Sequence, residues 1–453
     1  MIIIWKDYIM ENELFEKAPI PKAYMKMALP VVMGMIVTLV YNLVDTYFIA
    51  LTGNTNLIAG ISICAPLFTL LLAIGDIFGL GGSSVISRLL GAHNLDEAKK
   101  KSAFCFYTAI IVGVIFTVFM LLFSRQILNI LGATKQTYEY AAQYYFFLIL
   151  GSAFVIFSLV PTNLLRSEGM AMEAMTGSVL GTVVNIILDP VFIFGLGLGA
   201  AGAAIATVIG YISTCALYVY CICKKSKVLS LDLKLFSFDA ATATGVLSIG
   251  LPSSITNLMQ TIGITVTNRF LQPYGDESIA IMGIVLKIVN ISLLVIIGLS
   301  FGGQPLIGYN YGAGLKDRFK KIIGFGMALT GLTGVGFLVI LSLFANAIIS
   351  RFLTDPEMIS SGVTMLRFQL LGAPFMAVCL IIICTFQSTG KATGAFILSA
   401  CRQGIVFLPV IVILSKTMGY TGVITAQFAS DLVTTVVAFI LLRIFLWNDI
   451  FEK

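Results

Sequence analysis

The chain alternates between long apolar runs and short polar breaks. Most runs reach about 20 residues, the length that an α-helix needs to cross roughly 30 Å of hydrocarbon. The runs are uniformly apolar and lack the residue-by-residue alternation of barrel strands, so they predict an all-α integral membrane protein. We predict twelve transmembrane helices, numbered 1 to 12, over residues 26–50, 57–82, 103–123, 140–162, 171–194, 200–222, 243–271, 278–304, 322–344, 362–386, 394–416 and 420–446.

The two halves of the chain resemble each other at a shift of about 222 residues. The triplet ALP at 28–30 aligns with GLP at 250–252, and SEG at 167–169 aligns with STG at 388–390. Each half holds six spans, an even number, so both halves enter the membrane in the same direction. We predict two pseudo-twofold-related six-helix lobes. The predicted organisation is an N-terminal amphipathic lead-in (1–25), an N-lobe (26–223), a cytoplasmic linker (224–240) and a C-lobe (241–453).

Charge predicts the orientation of these helices. Most Lys and Arg residues fall in segments on one side of the predicted membrane, and cationic residues accumulate on the cytoplasmic side. We therefore expect a multi-pass protein of the plasma (inner) membrane with both termini in the cytoplasm and the lead-in along the inner leaflet. The net charge of +6 reflects this sidedness, so we expect no nucleic-acid partner. The loops on the other side keep only Arg125, Lys135, Arg269, Arg351 and Lys416.

Motifs for cofactor chemistry are weak or missing in the sequence. Eight cysteines lack CxxC spacing, one histidine is present, and no phosphate-binding loop of the GxxxxGK[ST] type occurs. The GxGxxG match at 197–202 lies between two membrane helices without a preceding strand, so helix packing explains it better than a dinucleotide. We expect no enzyme activity and no cofactor beyond a coupling H⁺ or Na⁺.

Carboxylates inside the spans are the main candidates for chemistry, because an ionised group in hydrocarbon is costly. Asp45 on helix 1, Asp189 on helix 5 and Thr207 on helix 6 lie in one slab, roughly 7 to 10 Å below the outer boundary at 1.5 Å per residue. Asn185 lies one turn before Asp189 on the same helix face. These oxygen ligands suit a small cation or a shared proton. An alternative is that these side chains have only a structural role, in which their hydrogen bonds hold the helices of one lobe together.

Pro190 follows Asp189 directly. A proline inside a helix frees the carbonyl four residues earlier, here that of Ile186, and can bend the helix. We therefore expect a movable point beside the carboxylate.

The stretches VYNLVDTYFIA, SRLLGAHNLDEAKK and NIILDPVFIFGLGLGAAGAAIAT, with the LP-opened helix in both halves, resemble the multidrug and toxin extrusion (MATE) family. The likeness is to its DinF-like branch and most closely to the MepA-type efflux pumps, and it covers essentially the whole chain. It implies a two-lobe antiporter that exports cationic, lipophilic drugs in exchange for H⁺ or Na⁺. It also implies a cation-coupling site at Asp45, Asn185, Asp189, Ala203 and Thr207, with Asp45, Asn185, Asp189 and Thr207 as Na⁺ ligands in a sodium-coupled pump.

The C-lobe departs from one branch of that family. The NorM-type branch has an acidic residue eight positions after the LP proline of helix 7, where this chain has Gln260, so we expect no sodium site of that kind. Drug-cavity candidates on the opening helices of the lobes are Tyr41, Asn42, Met259 and Gln260. The lipid bilayer is the other partner, and we expect a monomer.

Other charged residues inside the spans leave alternatives open. Asp431 suits an interhelical contact as well as a substrate contact, Lys287 is the deep cation, and Asp76 suits packing or gating beside Gly75 and Gly79. We expect Arg367 and Arg402 to lie near helix ends and to snorkel. The alternative function is a lipid-linked oligosaccharide flippase, which needs several deep cations to hold a pyrophosphate.

Overall fold

The structure is a computed structural model that describes residues 13–451, and the side chains of all of these except 256–258, 261 and 447–451. The described chain is helical and contains no strand. Twelve long helices follow one another: α1 (Ile20–Leu51), α2 (Thr55–Gly91), α3 (Leu95–Leu122), α4 (Tyr138–Leu150 and Ser152–Ser167), α5 (Ala171–Gly195), α6 (Gly199–Lys224), α7 (Ala240–Leu271), α8 (Asp276–Gly312), α9 (Lys316–Leu343), α10 (Pro356–Thr389), α11 (Ala392–Met418) and α12 (Tyr420–Phe451).

Several of these helices are interrupted. The two parts of α4 meet at an angle of 50°. Two helices contain a π-helical segment, Val191–Gly195 in α5 and Cys401–Ile405 in α11. Short helices at Ser124–Ile130 and Ala345–Ile349, and 3₁₀ turns at Leu233–Leu235 and Gln272–Tyr274, lie between the long ones.

The helices confirm a multi-pass membrane fold. Within the described residues, ten helices are long and apolar enough to cross a membrane, and the bent pair that forms α4 gives an eleventh. The first part of α7, Ala240–Ile255, is also apolar. Each of the twelve predicted spans overlaps one of α1–α12.

Contacts group the helices into two units. The N-unit comprises Met33–Ser254, and the C-unit comprises the described chain up to Val32 and from Ile255 onward. The chain therefore changes unit inside α1 and again inside α7. The lobe limits placed at residues 223 and 241 stay a prediction.

Glycines allow the first parts of α1 and α7 to pack closely within their units. In the C-unit, Gly303 of α8 lies against the ring of Tyr24, where an added Cβ would be 2.5 Å from ring atoms. In the N-unit, Gly81 of α2 lies against the carbonyl of Val246. Both residues of one pair are 222 positions from those of the other, so the internal repeat extends to packing.

The chain that precedes α1 is docked in the C-unit. Residues 13–16 form a helical turn, and the Phe15 ring stacks on Tyr309 with centroids 4.8 Å apart. The Arg318 guanidinium donates to the carbonyls of Phe15 (2.7 Å) and Ala18 (2.6 Å). Residues 1–12 of the predicted amphipathic lead-in lie outside the described residues.

The predicted linker is anchored in the N-unit by a buried acid. Glu168, at the end of α4, accepts hydrogen bonds from the Ser226 hydroxyl (2.5 Å) and from the backbone N–H groups of Lys227 (2.7 Å) and Val228 (3.0 Å). Two backbone donors on one carboxylate hold the start of the linker at a fixed place.

Candidate ion-coupling site

The candidate site in the N-unit depends on close packing of α5 against α6. Gly181 and Gly210 face each other, and a Cβ added to Gly210 would be 2.7 Å from the Gly181 carbonyl oxygen and 3.2 Å from the Asn185 Cβ. Small residues let two helix backbones approach in this way. The approach brings Asn185 of α5 beside Thr207 of α6.

The side chains of Asn185 and Thr207 form a short hydrogen-bonded chain. The Asn185 Nδ2 donates to Thr207 Oγ1 (3.3 Å), and that hydroxyl donates to the Ala203 carbonyl (3.0 Å). All three residues are buried. The amide oxygen of Asn185 has no hydrogen-bond partner among the described residues. A buried acceptor without a donor favours binding of a proton donor or a cation.

Asp189 and Asp45 meet at the same site. Asp189 is 0% exposed, Asp45 is half-buried, and the two carboxyl groups lie near each other. Neither Asp189 oxygen accepts a hydrogen bond from a donor among the described residues. Two ionised carboxylates at this separation repel each other in a low-dielectric interior, so a shared proton or a bound cation is needed to hold them together.

The helix changes form directly after Asp189. Pro190 has no N–H to donate to the Ile186 carbonyl, and the next five residues, Val191–Gly195, are π-helical. The π segment is closed by the Leu196 N–H, which donates to the Val191 carbonyl (2.8 Å). Single π turns of this kind occur frequently at functional sites.

Tyrosines lie close to the acidic pair. Tyr41 lies near both Asp45 and Thr207, and Tyr144 and Tyr211 lie near Tyr41. Tyr144 of α4 also lies within electrostatic range of Asp189. Tyr41 was a candidate for the drug cavity, and the structure places it at this cluster. We refer to Asp45, Asn185, Asp189, Thr207 and the Ala203 carbonyl together as the acidic cluster.

The donor set of the acidic cluster fits Na⁺. It offers carboxylate, amide, hydroxyl and carbonyl oxygens, the hard ligands that alkali and alkaline-earth cations prefer. Three of its buried oxygen atoms, Asn185 Oδ1 and both carboxylate oxygens of Asp189, have no hydrogen bond in the described chain outside the contact with Asp45. The same atoms can hold a proton, so the geometry suits either coupling ion.

The remaining drug-cavity candidates are divided between the two units. Asn42 is exposed on α1, in the N-unit. Gln260 lines a cavity of about 330 Å³ that lies within the C-unit, and Met259 lies against Gly404, where an added Cβ would be 3.6 Å from its sulfur.

The charged residues of the C-unit form an ion pair that the sequence did not predict. The Arg402 Nε donates to Asp431 Oδ1 (3.2 Å), and the side chains are 14% and 4% exposed. The expectation that Arg402 snorkels from a helix end is wrong, because it lies ten residues into α11, roughly 15 Å along the axis. Of the two roles considered for Asp431, the structure shows the interhelical contact.

Sequence reasoning missed the amides and tyrosines around these charges. Gln427 donates to Asp431 Oδ1 (3.1 Å), Tyr144 lies near the acidic pair, and Tyr211 lies near Tyr41. Tyrosines and glutamines are common in membrane helices and carry no motif. Counting depth from the helix ends places Arg402 and Asp431 at about the same level, but it does not show that the two side chains face each other.

The comparisons with known proteins agree with the repeat. A sequence model of the MatE family matches residues 30–191 and 252–413, two segments that begin 222 residues apart. The chain is similar to the multidrug export protein MepA of Staphylococcus aureus, with 31% identity over 435 residues that cover 96% of each chain. It is similarly related to MepA of Staphylococcus haemolyticus, with 32% identity over 94% of this chain and 93% of the relative.

Solved structures show the same fold. An outward-facing conformation of a multidrug resistance MATE family transporter of the MOP superfamily matches with a TM-score of 0.90 and 24% identity, covering 96% of this chain and 98% of the other. MATE in the straight conformation matches with a TM-score of 0.89 and 25% identity, with the same coverage. The resemblance to MATE proteins deduced from the sequence motifs is therefore confirmed, and the chain belongs to the MatE family.

Proposed function

We propose that this protein is a secondary active multidrug efflux antiporter, which exports organic cations or amphipathic drugs in exchange for H⁺ or Na⁺ by alternating access of its two lobes. The observation that carries the proposal is the proximity of the carboxyl groups of Asp45 and Asp189, both of which lie on long helices of a MatE-family chain. Its relatives of known name are multidrug export proteins.

The acidic cluster supplies the coupling step. Asp189 is the buried acid and Asp45 the more accessible one, so Asp45 receives the ion first and Asp189 holds it. The free amide oxygen of Asn185 supplies a further ligand. When the ion leaves, the two carboxylates repel each other and α1 and α5 are pushed apart at this point. The π segment after Pro190 gives α5 a place to change shape.

Antiport requires that ion and drug favour different states. A ligand shifts a conformational equilibrium only by its differential affinity for the two states. The ion stabilises the state in which the two carboxyl groups are close, and the drug stabilises the state in which they are apart. By linkage, each ligand weakens the binding of the other.

The same proposal includes the topology, the location and the oligomeric state of the protein. Both termini lie in the cytoplasm, the protein resides in the plasma membrane, and it works as a monomer without a further cofactor. The drugs are lipophilic, and aromatic side chains such as Tyr41, Tyr144 and Tyr211 give a cationic drug the faces that it prefers.

The test is transport by the purified protein in liposomes. We would load tetraphenylphosphonium, clamp the membrane potential, impose a proton gradient and a sodium gradient separately, and follow efflux with an ion-selective electrode. We expect one gradient to drive efflux and Asp189→Asn to abolish it, while the exposed control Asp317→Asn transports normally. Normal transport by Asp189→Asn would overturn the coupling role and leave these residues as packing contacts.

The flippase alternative has a different requirement. A pyrophosphate needs several unpaired cations in one cavity. The C-unit cavity holds Lys287 and Arg402, and Asp431 offsets one of their charges. Expression in a flippase-deficient strain distinguishes the two functions, and we expect that the protein does not restore growth of that strain.

A further inference from the structure

The C-unit contains a partly open cavity with several polar side chains in a mainly apolar wall. We call it the C-unit cavity; it is lined by residues of α7, α8, α10, α11 and α12. Its volume of about 330 Å³ lies at the lower end of the range for small-molecule sites, roughly 300 to 1,000 Å³. Its polar lining includes Lys287, Ser292, Arg402 and Asp431.

Three charged residues of the lining lie at mid-depth. Lys287, Arg402 and Asp431 lie eleven, ten and eleven residues from the start of α8, α11 and α12. At 1.5 Å per residue each is roughly 15 to 16 Å along its helix, about half the hydrocarbon thickness. Ionisable groups at this depth are costly and mark functional sites.

One cation of the cavity is only partly used. Arg402 lies in the π segment of α11, and its Nε donates to Asp431 (3.2 Å). Among the described residues, this is the one hydrogen bond that its guanidinium makes, so both terminal amino groups are left for a ligand. A guanidinium presents such groups as a fork that matches a carboxylate.

The other cation has no acid beside it. Lys287 makes no ion pair within the described part of the chain, although it lies at mid-depth and lines the cavity. With Asp431 balancing one of the two cations, the lining carries one excess positive charge. An anionic ligand would neutralise it.

A buried hydroxyl in the cavity is also unpartnered. Ser292 is 1% exposed, and its Oγ finds no hydrogen-bond partner in the described chain. It follows Lys287 on α8 by five residues. A ligand that accepts a hydrogen bond at this point would remove the cost of burying this group.

The rest of the wall is apolar. Side chains of Met282, Leu286, Ile296 and Met376 line the cavity together with Ile264. Methionine is flexible and adapts to ligands of different shape. The cavity therefore pairs an apolar wall with a cationic centre.

We propose that the C-unit cavity binds amphipathic carboxylates, with the carboxylate held by Lys287 and Arg402 and hydrogen-bonded by Ser292, and with the apolar body against the methionine-lined wall. This proposal rests on the proposed function in that it names a second substrate class for the same exporter.

The test is binding of a matched pair of fluorescent probes to the purified full chain in nanodiscs. Dansylglycine carries a carboxylate, and dansylglycinamide has the same shape without the charge. We expect the acid to bind at least about tenfold more tightly, and Lys287→Gln to remove that preference while leaving amide binding unchanged. Lys287 takes part in no ion pair of the described chain, so this variant should fold. Lys416→Gln, at the exposed end of α11, is the control.

Each outcome decides one of the two proposals. Equal binding of acid and amide by the parent, or an unchanged preference in Lys287→Gln, overturns the carboxylate site. Ser292→Ala should lower acid binding by about threefold, and no change would remove that residue from the site. If the parent protein shows no ion-driven efflux of tetraphenylphosphonium but still binds the acid more tightly than the amide, the proposed antiport is refuted and the carboxylate site is supported.

Discussion

The two units of the molecule hold polar groups of opposite character. In the N-unit, two acids without a cation beside them meet at the acidic cluster, and in the C-unit one acid is paired with Arg402 while Lys287 stands apart. The first arrangement lacks a positive charge and the second has one in excess. The comparison teaches that a duplicated scaffold can give one half to the coupling ion and the other half to a ligand.

The sequence shows where the halves diverged. Gly202 aligns with Gly422 at a shift of 220 residues, and at this shift Asp431 takes the position of Tyr211 and Asp189 that of Pro409. The second repeat has a proline in FLPV at 407–410, but no acid precedes it as Asp189 precedes Pro190 in LDPV at 188–191. Each acid therefore occurs in one repeat alone. Both helices also contain a π segment, Val191–Gly195 after Pro190 and Cys401–Ile405 before Pro409, so both repeats have an irregular backbone here but only one has the acid.

The largest expected effect distinguishes Asp189 of the N-unit from Asp431 of the C-unit. Asp189→Asn should lower ion-driven efflux of tetraphenylphosphonium at least about a hundredfold, because the amide can neither take up a proton nor supply a carboxylate to Na⁺. The double variant Arg402→Gln/Asp431→Asn should lower it less than about threefold. Comparable losses of efflux in both variants would contradict the claim that ion coupling belongs to the N-unit alone.

A stability measurement tests the C-unit pair. Asp431→Leu leaves the Arg402 guanidinium buried without its acid, and such a loss costs about 3–5 kcal/mol. We expect thermal unfolding of the detergent-solubilised protein at a clearly lower temperature. Replacing both residues, Arg402→Met/Asp431→Leu, should recover most of the loss, and a double variant as unstable as the single one would contradict the ion-pair account.

Helix packing is the next target. Gly181→Ala places a Cβ against Thr214 and 2.6 Å from the Gly210 carbonyl, so α5 must move away from α6 and Asn185 from Thr207. Overpacking of this kind costs about 1–3 kcal/mol, and we expect transport to fall with stability. Gly324→Ala is the matched control, because an added Cβ there meets nothing within 4 Å. Equal behaviour of the two variants would show that close packing does not position the cluster.

The smallest effect concerns the hydroxyl of the acidic cluster. Thr207→Val keeps the shape but removes the acceptor for the Asn185 amide and the donor to the Ala203 carbonyl. A hydrogen bond of this type contributes about 0.5–1.5 kcal/mol, which corresponds to a loss of a few-fold in apparent affinity for the coupling ion. Transport rates measured against ion concentration should show the shift, and the carboxylate preference of the C-unit cavity should not change.

Much of the fold could be predicted from the sequence. Long apolar runs predict the helices because the bilayer leaves few other solutions, and all twelve predicted spans fall on α1–α12. The shared depth of Asp45, Asp189 and Thr207 follows from the fixed rise of a helix. The structure brings Asp45 to Asp189 and Thr207 to Asn185 within the N-unit.

The rest depends on which helices pack together. Arg402 and Asp431 are 29 residues apart on different helices, and nothing in their local sequence indicates that the rotation of α11 turns one toward the other. The exchange of the first parts of α1 and α7 between units arises from glycine contacts such as Gly303 with Tyr24, which involve residues distant in sequence. Such pairings are set by tertiary packing and not by hydrophobic period.

The central claim is that the acidic cluster holds a cation that drug binding displaces, and ion release tests it most directly. Tetraphenylphosphonium would be added to the detergent-solubilised protein in weakly buffered solution, with an indicator dye for protons and, in a parallel sample, labelled sodium. We predict release of about one ion per chain from the parent and none from Asp189→Asn, since each ligand weakens the other by linkage. Drug binding without release of either ion from the parent would contradict the account.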